Sequence, residues 1–395
     1  MQSTPDALYY GFSNPLQQFD ESLLQSIVQE YGKSIIEIFV EHASAVLQGA
    51  EKRLIDQMRA LATAELRFEM VWSSALGRCL KCIDSGDELA YRRVSAELLL
   101  HAAAGGMPGN WEVNLGQYSP FLWQDWRLPK CDYLAVESDG ERACIRLHGV
   151  ENHDTIFFGR TPDSPSKWHS SEATSLPSIS LRPASAITIL AKNTIDQETA
   201  RGLGFPAVPE VTEREYHTIA QAMDLLRQQA PLHYSWVARV IRRVVVIESG
   251  PQRYLRSGSE AKLWGLIYVC DDPDPLSIAE ILVHEASHQY FYLLTRLGDP
   301  VSGTSARTYY SPFVDAQRRL DRILLAYHAF SNVYLFYREF PLTAQQKVRV
   351  RQYLAKLLPD IKSIEGFITD SDELTPIGRG LVGPLINELN PVAVP

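Results

Sequence analysis

Apolar residues in the first hundred positions recur at the three- and four-residue spacing that places them along one face of a helix. The predicted helical stretch runs from residue 16 to residue 105, and the glycines at 105 and 106 interrupt it. Its first apolar positions are Leu23, Leu24, Ile27, Val28, Tyr31, Ile35, Ile36 and Phe39. This spacing predicts a helical N-terminal region over residues 1–109.

The pattern changes in residues 110–200, where apolar runs are short and turn-forming residues separate them. Two such runs, 133–136 and 144–147, flank Ser138-Asp139-Gly140. Runs of this length between turn signals are typical of strands joined by hairpins. Residues 161–177 are rich in proline and serine, which predicts a loop. We therefore predict a small antiparallel sheet within this β-rich region.

Helical spacing returns in the C-terminal region, residues 210–395. The apolar run 237–248 predicts a strand, and the run 264–270 predicts a second one. Apolar positions then follow helical spacing over 276–297 and again over about 315–339. Asp274 and Ser277 are the candidate caps for the first of these two helices, since a short polar side chain can accept hydrogen bonds from the first turn.

Composition narrows the function classes. The chain has 395 residues, 47 acidic and 38 basic, and a formal net charge of −9. That charge argues against binding to nucleic acid or to an anionic membrane. The N-terminus lacks a basic segment followed by an apolar core, and no apolar run reaches the length of a membrane span. Five sparse cysteines predict a reducing, cytoplasmic environment.

The chemistry of the chain centres on His284-Glu285-Ala286-Ser287-His288, inside the helix predicted over 276–297. Histidines four residues apart project from the same helix face, one turn above the other, and can share a metal ion. The glutamate that follows the first histidine lies beside this face, near a metal-bound water. Two histidines in an otherwise apolar helix need partners, so we predict a metal site at His284 and His288.

A third ligand would complete the site and define its type. Leu294 and Phe291 stand where an extended HExxHxxGxxH motif requires histidine and glycine, so that pattern fails. We expect the ligand on the next long helix, with His328 as the first choice because apolar residues surround it. The other candidates are Glu339, Asp321 and Asp315.

Two classes of chemistry fit such a set of ligands. Three histidines, or two and a carboxylate, suit hydrolysis by zinc and oxygenation by nonheme iron. An iron enzyme that uses 2-oxoglutarate also needs a cation for the distal carboxylate of this co-substrate, and arginine pairs with carboxylates in a bidentate manner. Four arginines lie just before or at the start of the His328 helix: Arg307, Arg318, Arg319 and Arg322.

Three segments together resemble the HExxH-motif peptide-modification family. They are ILVHEASH at 281–288, YYSPF at 309–313 and LLAYHAF at 324–330. Family members accompany ribosomally made, post-translationally modified peptides and are associated with iron- and 2-oxoglutarate-dependent β-hydroxylation of peptide side chains. The resemblance extends over about 210–345 and is weak in the N-terminal half.

The resemblance implies a role for individual residues of this chain. His284 and His288 would bind Fe(II), with His328 as the histidine from the downstream helix, and Glu285 would orient water or a ligand. Arg318 is the nearest match to the family's arginine after the YSP segment, and Arg307 is a second candidate for the co-substrate. The chain as a whole is predicted to have an α+β, mostly helical fold, with a helical N-terminal layer, a small antiparallel β region and a zincin-like C-terminal core that binds the metal.

Three hypotheses follow from the sequence. The first is an Fe(II)/2-oxoglutarate-dependent dioxygenase that hydroxylates a ribosomally made peptide. The second is a zinc metallopeptidase, in which Glu285 is the general base for zinc-bound water. The third is a noncatalytic peptide-binding protein with a structural metal. A peptide, with or without a leader segment, is the expected partner in all three.

Overall fold

The structure is a computed structural model that describes most of the chain. The described residues are 9–47, 52–64, 72–123, 126–149, 153–161, 164–182, 185–192, 195, 207–248, 257–302 and 307–390. Within these ranges the protein is a mixed α+β structure, which confirms the predicted class.

The helices of the described ranges concentrate near the two ends of the chain. They are α1 (Tyr10–Ser13), α2 (Glu21–Val46), α3 (Lys52–Thr63), α4 (Ser74–Ser85), α5 (Glu88–Ala104), α6 (Glu213–Gln229), α7 (Pro231–Val240), α8 (Pro275–Leu294), α9 (Leu320–Glu339), α10 (Ala344–Thr369) and α11 (Pro376–Leu389). Helices α2 to α5 lie where the first apolar pattern predicted them. None of the described helices has the combination of length and apolar character needed to cross a membrane.

The strands lie mainly between α5 and α8. They are β1 (Gly109–Trp123), β2 (Trp126–Ser138), β3 (Arg142–His148), β4 (His153–Thr161), β5 (Ser164–His169), β6 (Thr174–Ser175), β7 (Ser178–Arg182), β8 (Ser185–Leu190), β9 (Arg243–Ile247), β10 (Ser257–Ser259), β11 (Leu266–Cys270), β12 (Tyr309–Ser311) and β13 (Ala316–Arg318). Strands β5 and β6 occupy part of the segment 161–177, so its prediction as a loop was wrong there.

The predicted antiparallel sheet is present. It runs in the order β1-β2-β3-β4-β5, and β6 pairs with β2. All of its pairings are antiparallel, as hairpin connections between consecutive strands require. Alternate residues of β3 are buried, which is the period-two pattern of a sheet covered on one face.

A second sheet has the order β10-β11-β9-β8-β7. Strands β8, β9 and β11 are parallel, and the two edge strands pair in the antiparallel sense. In β9 the apolar residues 244–247 are all buried, as in a strand that is covered on both faces. The strand predicted over 237–248 was therefore too long. Its first part belongs to helix α7, which starts at Pro231, a residue that favours the first helical turn.

The chain divides into two compact units by its internal contacts. One consists of Met1–Leu23, His217–Val240 and Asp272–Pro395, and the other of Leu24–Tyr216 and Ile241–Asp271. The predicted domain ranges 1–109, 110–200 and 210–395 stay a prediction beside this division by contacts. Those ranges follow local composition, whereas the units join segments that are distant in the sequence and contact each other only after folding.

Helix α8 carries the HExxH motif and starts where the sequence predicted. The Asp274 side chain accepts a hydrogen bond from the backbone N–H of Leu276 at 3.0 Å, and Pro275 occupies the first turn. The helix ends at Leu294. Most residues of this helix are buried, as its mostly apolar sequence requires.

The helix predicted to start at 315 begins five residues later, at Leu320. The preceding residues form a hairpin in which β12 pairs with β13. Asp315 lies in the turn with φ of 47°, a left-handed conformation that is incompatible with a right-handed helix at this residue. Helix α9 then runs antiparallel to α8, because its later residue Tyr337 contacts Glu280, which precedes the motif.

Candidate metal centre

The two histidines of the motif lie side by side on α8. Their ring centroids are 4.7 Å apart and their planes are nearly perpendicular. One ligand atom from each of His284, Glu285 and His288 can be chosen such that all lie within 4.8 Å of one another. The helix alone produces this grouping, because residues four apart share a face and the neighbouring Glu285 lies at its edge. The three residues form the one such group found in the described part of the chain.

Burial keeps both imidazoles uncharged. It lowers the pKa of His284 to about 4, with a smaller contribution from the charge of His328. It also lowers the pKa of His288 well below its ordinary value, and the charges of His284, His328 and Arg322 act in the same direction. A neutral imidazole has a free lone pair, which is the form that binds metal.

The donor set fits a divalent metal of intermediate softness. Both rings retain partial exposure, whereas Glu285 is only 1% exposed. Nδ1 of His288 is buried and makes no hydrogen bond within the described residues. A buried nitrogen of this kind is costly unless it gains a ligand. Two neutral imidazoles and an adjacent carboxylate suit zinc or ferrous iron.

His328 is close to this group but is not part of it. Its Nε2 lies 2.7 Å from the carbonyl oxygen of Ser13 and 3.0 Å from that of Phe12. Because both partners are acceptors, Nε2 must carry the proton and donate it, and cannot bind a metal at the same time. The side chain of Asn332, one turn further on, donates to the same Ser13 oxygen at 2.9 Å. His328 thus holds the N-terminal helix α1 against α9 through Nε2. These bonds do not use Nδ1, so its predicted role as third ligand stays a prediction.

The other candidates for a third ligand lie at different places. Glu339, at the end of α9, pairs with Arg338 at 3.1 Å and is 47% exposed. Asp315 accepts a hydrogen bond from the Tyr310 hydroxyl at 2.7 Å in the hairpin turn. Asp321 begins α9, with Arg319 and Arg322 beside it. The antiparallel packing of α8 and α9 places this first turn of α9 near the His288 end of α8.

The four arginines are also distributed unequally. Arg318 is exposed on β13, and Arg307 is exposed just before β12. Arg319 precedes α9 and lies beside Asp321. Arg322 is the arginine whose positive charge contributes to the lowered pKa of His288. Among these four, Arg322 is thus the one that contributes to the lowered pKa of His288, although its side chain is 61% exposed. The roles predicted for Arg318 and Arg307 stay predictions.

Two aromatic residues beside the site were missed as functional candidates. The Phe330 ring meets His284 edge to face at a centroid distance of 4.9 Å. Phe313, from the hairpin turn, stacks on Phe330 at 3.8 Å. Phe313 belongs to the YYSPF segment and Phe330 to the LLAYHAF segment. They were not predicted as functional residues because aromatic residues at helical spacing are usually core residues. Only the packing of the hairpin against α9 brings them beside the histidine pair.

Glu280 was also missed. It lies one turn before His284 and accepts hydrogen bonds from the hydroxyls of Tyr337 at 2.6 Å and Tyr353 at 2.7 Å. Burial raises its pKa, and the two hydroxyls partly oppose that shift. These bonds tie α8 to α9 and α10 directly behind the first histidine. Glu280 therefore fixes the position of the motif helix.

The cysteines do not form an additional site. All five lie in the described part of the chain and none is in a disulfide bond. Burial raises the pKa of the Cys79 thiol well above its ordinary value, so it is a poor nucleophile and a poor metal ligand at neutral pH.

No protein-family model matches the chain, and no curated protein matches it either. The case for a function therefore depends on the site itself and on the motif resemblance.

The metal-free protein should lose stability as the pH falls from about 6.5 to 4. Burial lowers the pKa values of His233 and His328 to about 4, so the unfolded chain binds more protons than the folded chain in this window. Each histidine makes its full contribution to the free energy of unfolding above the pKa that it has in the unfolded chain. This contribution decreases as the pH falls toward 4, by roughly 3 kcal/mol for each of these histidines. Urea titrations of chelator-treated protein at a series of pH values measure this dependence.

A matched pair of variants assigns the effect. His233→Phe keeps a ring at a buried position and should reduce the pH dependence by about one histidine's share. His217→Phe makes the same change at an exposed position and is the control for the substitution itself. A free energy of unfolding that stays constant from pH 7 to 4.5 would contradict the assignment.

Proposed function

We propose that this protein is a metal-dependent peptide-modifying enzyme. The specific class that we propose is an Fe(II)/2-oxoglutarate-dependent dioxygenase. Its substrate would be a ribosomally made peptide, in which it hydroxylates the β-carbon of a side chain. The observation that carries the proposal is the group of two neutral imidazoles and a buried carboxylate on α8. The Arg322 charge at His288 supports a site for a carboxylate-bearing co-substrate. The three-segment resemblance selects the reaction class.

Each side chain has a defined task in this proposal. His284 and His288 hold the metal through nitrogens that burial keeps unprotonated. Glu285 lies within 4.8 Å of both and can accept a hydrogen bond from a ligand or water at the centre. Fe(II) and 2-oxoglutarate, when bound, supply activation of dioxygen for hydroxylation of a C–H bond. Partial exposure of the histidine rings leaves access for a substrate.

We propose a zincin-like catalytic core, in which a second helix packs against the HExxH helix. The contacts of α9 with α8 support this proposal. Since His328 is held by backbone carbonyls, we propose Asp321 as the residue of α9 to test first as a further ligand. The working compartment that we propose is the cytoplasm, because all five cysteines are without a disulfide bond.

The test of the proposal is anaerobic reconstitution with Fe(II), followed by addition of 2-oxoglutarate and a visible spectrum. We expect a weak charge-transfer band from the iron–2-oxoglutarate complex, and its loss in His284→Ala. Absence of the band, together with one tightly bound zinc in protein purified without chelator, would overturn the dioxygenase proposal.

Substitution of Arg322 should weaken binding of 2-oxoglutarate. Removing a charge-assisted pair costs about 1.5–3 kcal/mol, so Arg322→Ala should raise the dissociation constant roughly 10- to 100-fold. Arg318→Ala is the matched control and should change it less than about twofold, because Arg318, unlike Arg322, is not among the charges that shift the pKa of His288. Titration of the charge-transfer band gives both constants. A larger increase of the dissociation constant in Arg318→Ala than in Arg322→Ala would show that Arg318 binds the co-substrate.

A zinc metallopeptidase is the alternative that a specific observation favours. Glu285 is buried and close to both histidines, which is the position of the general base in zinc hydrolysis. Glu285→Gln separates the two functions, since it keeps the shape of the side chain and removes the base. A peptidase should lose hydrolysis of peptide libraries almost completely. A dioxygenase should retain its charge-transfer band and show only weakened hydroxylation.

A further inference from the structure

The surroundings of the two histidines differ in chemical character. Arg322 contributes positive charge at His288. At His284, the neighbour is the edge-to-face ring of Phe330, with Phe313 stacked behind it at an interplanar angle of 12°. Tyr292 also lies beside His288, at a centroid distance of 6.3 Å, so the Phe330 ring at His284 is the nearer of these two aromatic neighbours.

The two phenylalanines are less buried than Tyr327 and Phe336, two aromatic residues of α9. Tyr327 and Phe336, on the same helix, are 0% exposed and belong to the core. Phe313 and Phe330 are only partly buried although they stack on each other. Apolar rings that remain accessible beside a polar centre are available to a ligand, because contact with a ligand would remove their remaining surface from water.

The hairpin that carries Phe313 is held in shape at its turn. The Tyr310 hydroxyl donates to Asp315 Oδ1 at 2.7 Å, and Asp315 takes the left-handed φ of 47°. The backbone N–H of Val314 also donates a hydrogen bond to the carbonyl oxygen of Ser311 at 3.4 Å across the turn. This bonding positions Phe313 before any ligand arrives, which reduces the entropy that binding would cost.

We propose that Phe313 and Phe330 form the wall that receives the substrate side chain, and that this side chain is uncharged and apolar, with a preference for an aromatic or large aliphatic group. The inference rests on the proposed function, since it assumes a metal at His284 and His288. It adds the substrate class and two specificity-determining residues. Placing a charged side chain against this pair would cost desolvation without a partner.

Binding of small hydroxamates to the Co(II)-loaded full-length protein tests the inference without turnover. Acetohydroxamate and phenylacetohydroxamate share the metal-binding group and differ in their apolar part. Visible absorption of Co(II) reports both metal loading and ligand binding. The wild-type protein should bind phenylacetohydroxamate about tenfold more tightly, as expected for an aromatic contact together with the apolar area that it buries.

Variants locate the preference. Phe313→Ala should reduce it to less than about threefold and leave acetohydroxamate binding unchanged, and Phe313→Leu should restore part of it. Phe157→Ala removes a 58% exposed ring on β4 and should leave the preference intact. Circular dichroism and Co(II) stoichiometry verify that each variant is folded and loaded.

The outcomes distinguish the inference from the function on which it rests. Equal affinities for the two hydroxamates, or a preference that survives in both Phe313→Ala and Phe330→Ala, would overturn the aromatic wall while the metal centre stands. A wild-type protein that binds no Co(II) would overturn the metal centre, and the aromatic wall with it.

Discussion

His284→Ala should abolish stoichiometric metal binding. The ring supplies one of the two neutral imidazole donors on α8, and a single remaining histidine with Glu285 forms a much weaker site. Loss of a residue that only supports a ligand typically costs 10- to 100-fold in metal affinity, so we expect at least about a hundredfold loss here. Metal analysis after equilibrium dialysis measures it, with Zn(II) and Fe(II) in separate experiments.

The control for this variant is His217→Ala, which removes an exposed histidine of α6. It should retain one equivalent of metal and the wild-type affinity. Because burial lowers the pKa of His284 to about 4, protons should not compete for the site above pH 6. Unchanged stoichiometry in His284→Ala would remove the basis for a metal centre at the HExxH motif.

His328→Ala should destabilise the protein and leave metal affinity nearly unchanged. The ring is 0% exposed, and its Nε2 proton serves the carbonyl oxygens of Phe12 and Ser13. Removing it creates a cavity and leaves buried acceptors with fewer donors, so the free energy of unfolding should fall by roughly 2–4 kcal/mol. Urea unfolding of the metal-free protein gives this value, and metal titration at a temperature where the variant is folded gives the affinity.

His328→Gln is the matched variant, because the glutamine amide can donate from a position close to Nε2. It should recover a part of the lost stability. If His328 is a ligand after all, both variants will lose metal strongly while the stability of the metal-free protein changes little. That pattern would restore the three-histidine set that the sequence indicated.

The sequence was informative wherever the relevant physics is local. The i, i+4 spacing of His284 and His288 places both rings on one face of any helix, and Asp274 caps that helix through contacts within one turn. The period-two pattern with turn signals likewise predicted an antiparallel sheet, which is present. These features need no knowledge of distant parts of the chain.

Predictions were weaker where a residue's partner lies far away in the sequence. The apolar neighbours of His328 predicted its burial correctly. They do not reveal that the carbonyl oxygen of Ser13, more than 300 residues earlier, accepts a hydrogen bond from its ring. The start of α9 was also placed too early, since the turn at Asp315 depends on pairing between β12 and β13.

By itself, the sequence determined the α+β class, the motif helix and the pair of histidines on it, because helix periodicity and capping are properties of neighbouring residues. The tertiary structure alone decided that His328 bonds to α1, that Arg322 acts on His288, and that Phe313 and Phe330 stack beside His284. Those contacts depend on how α1, α8, α9 and the β12–β13 hairpin pack, and packing is set by the shapes of whole surfaces rather than by local spacing.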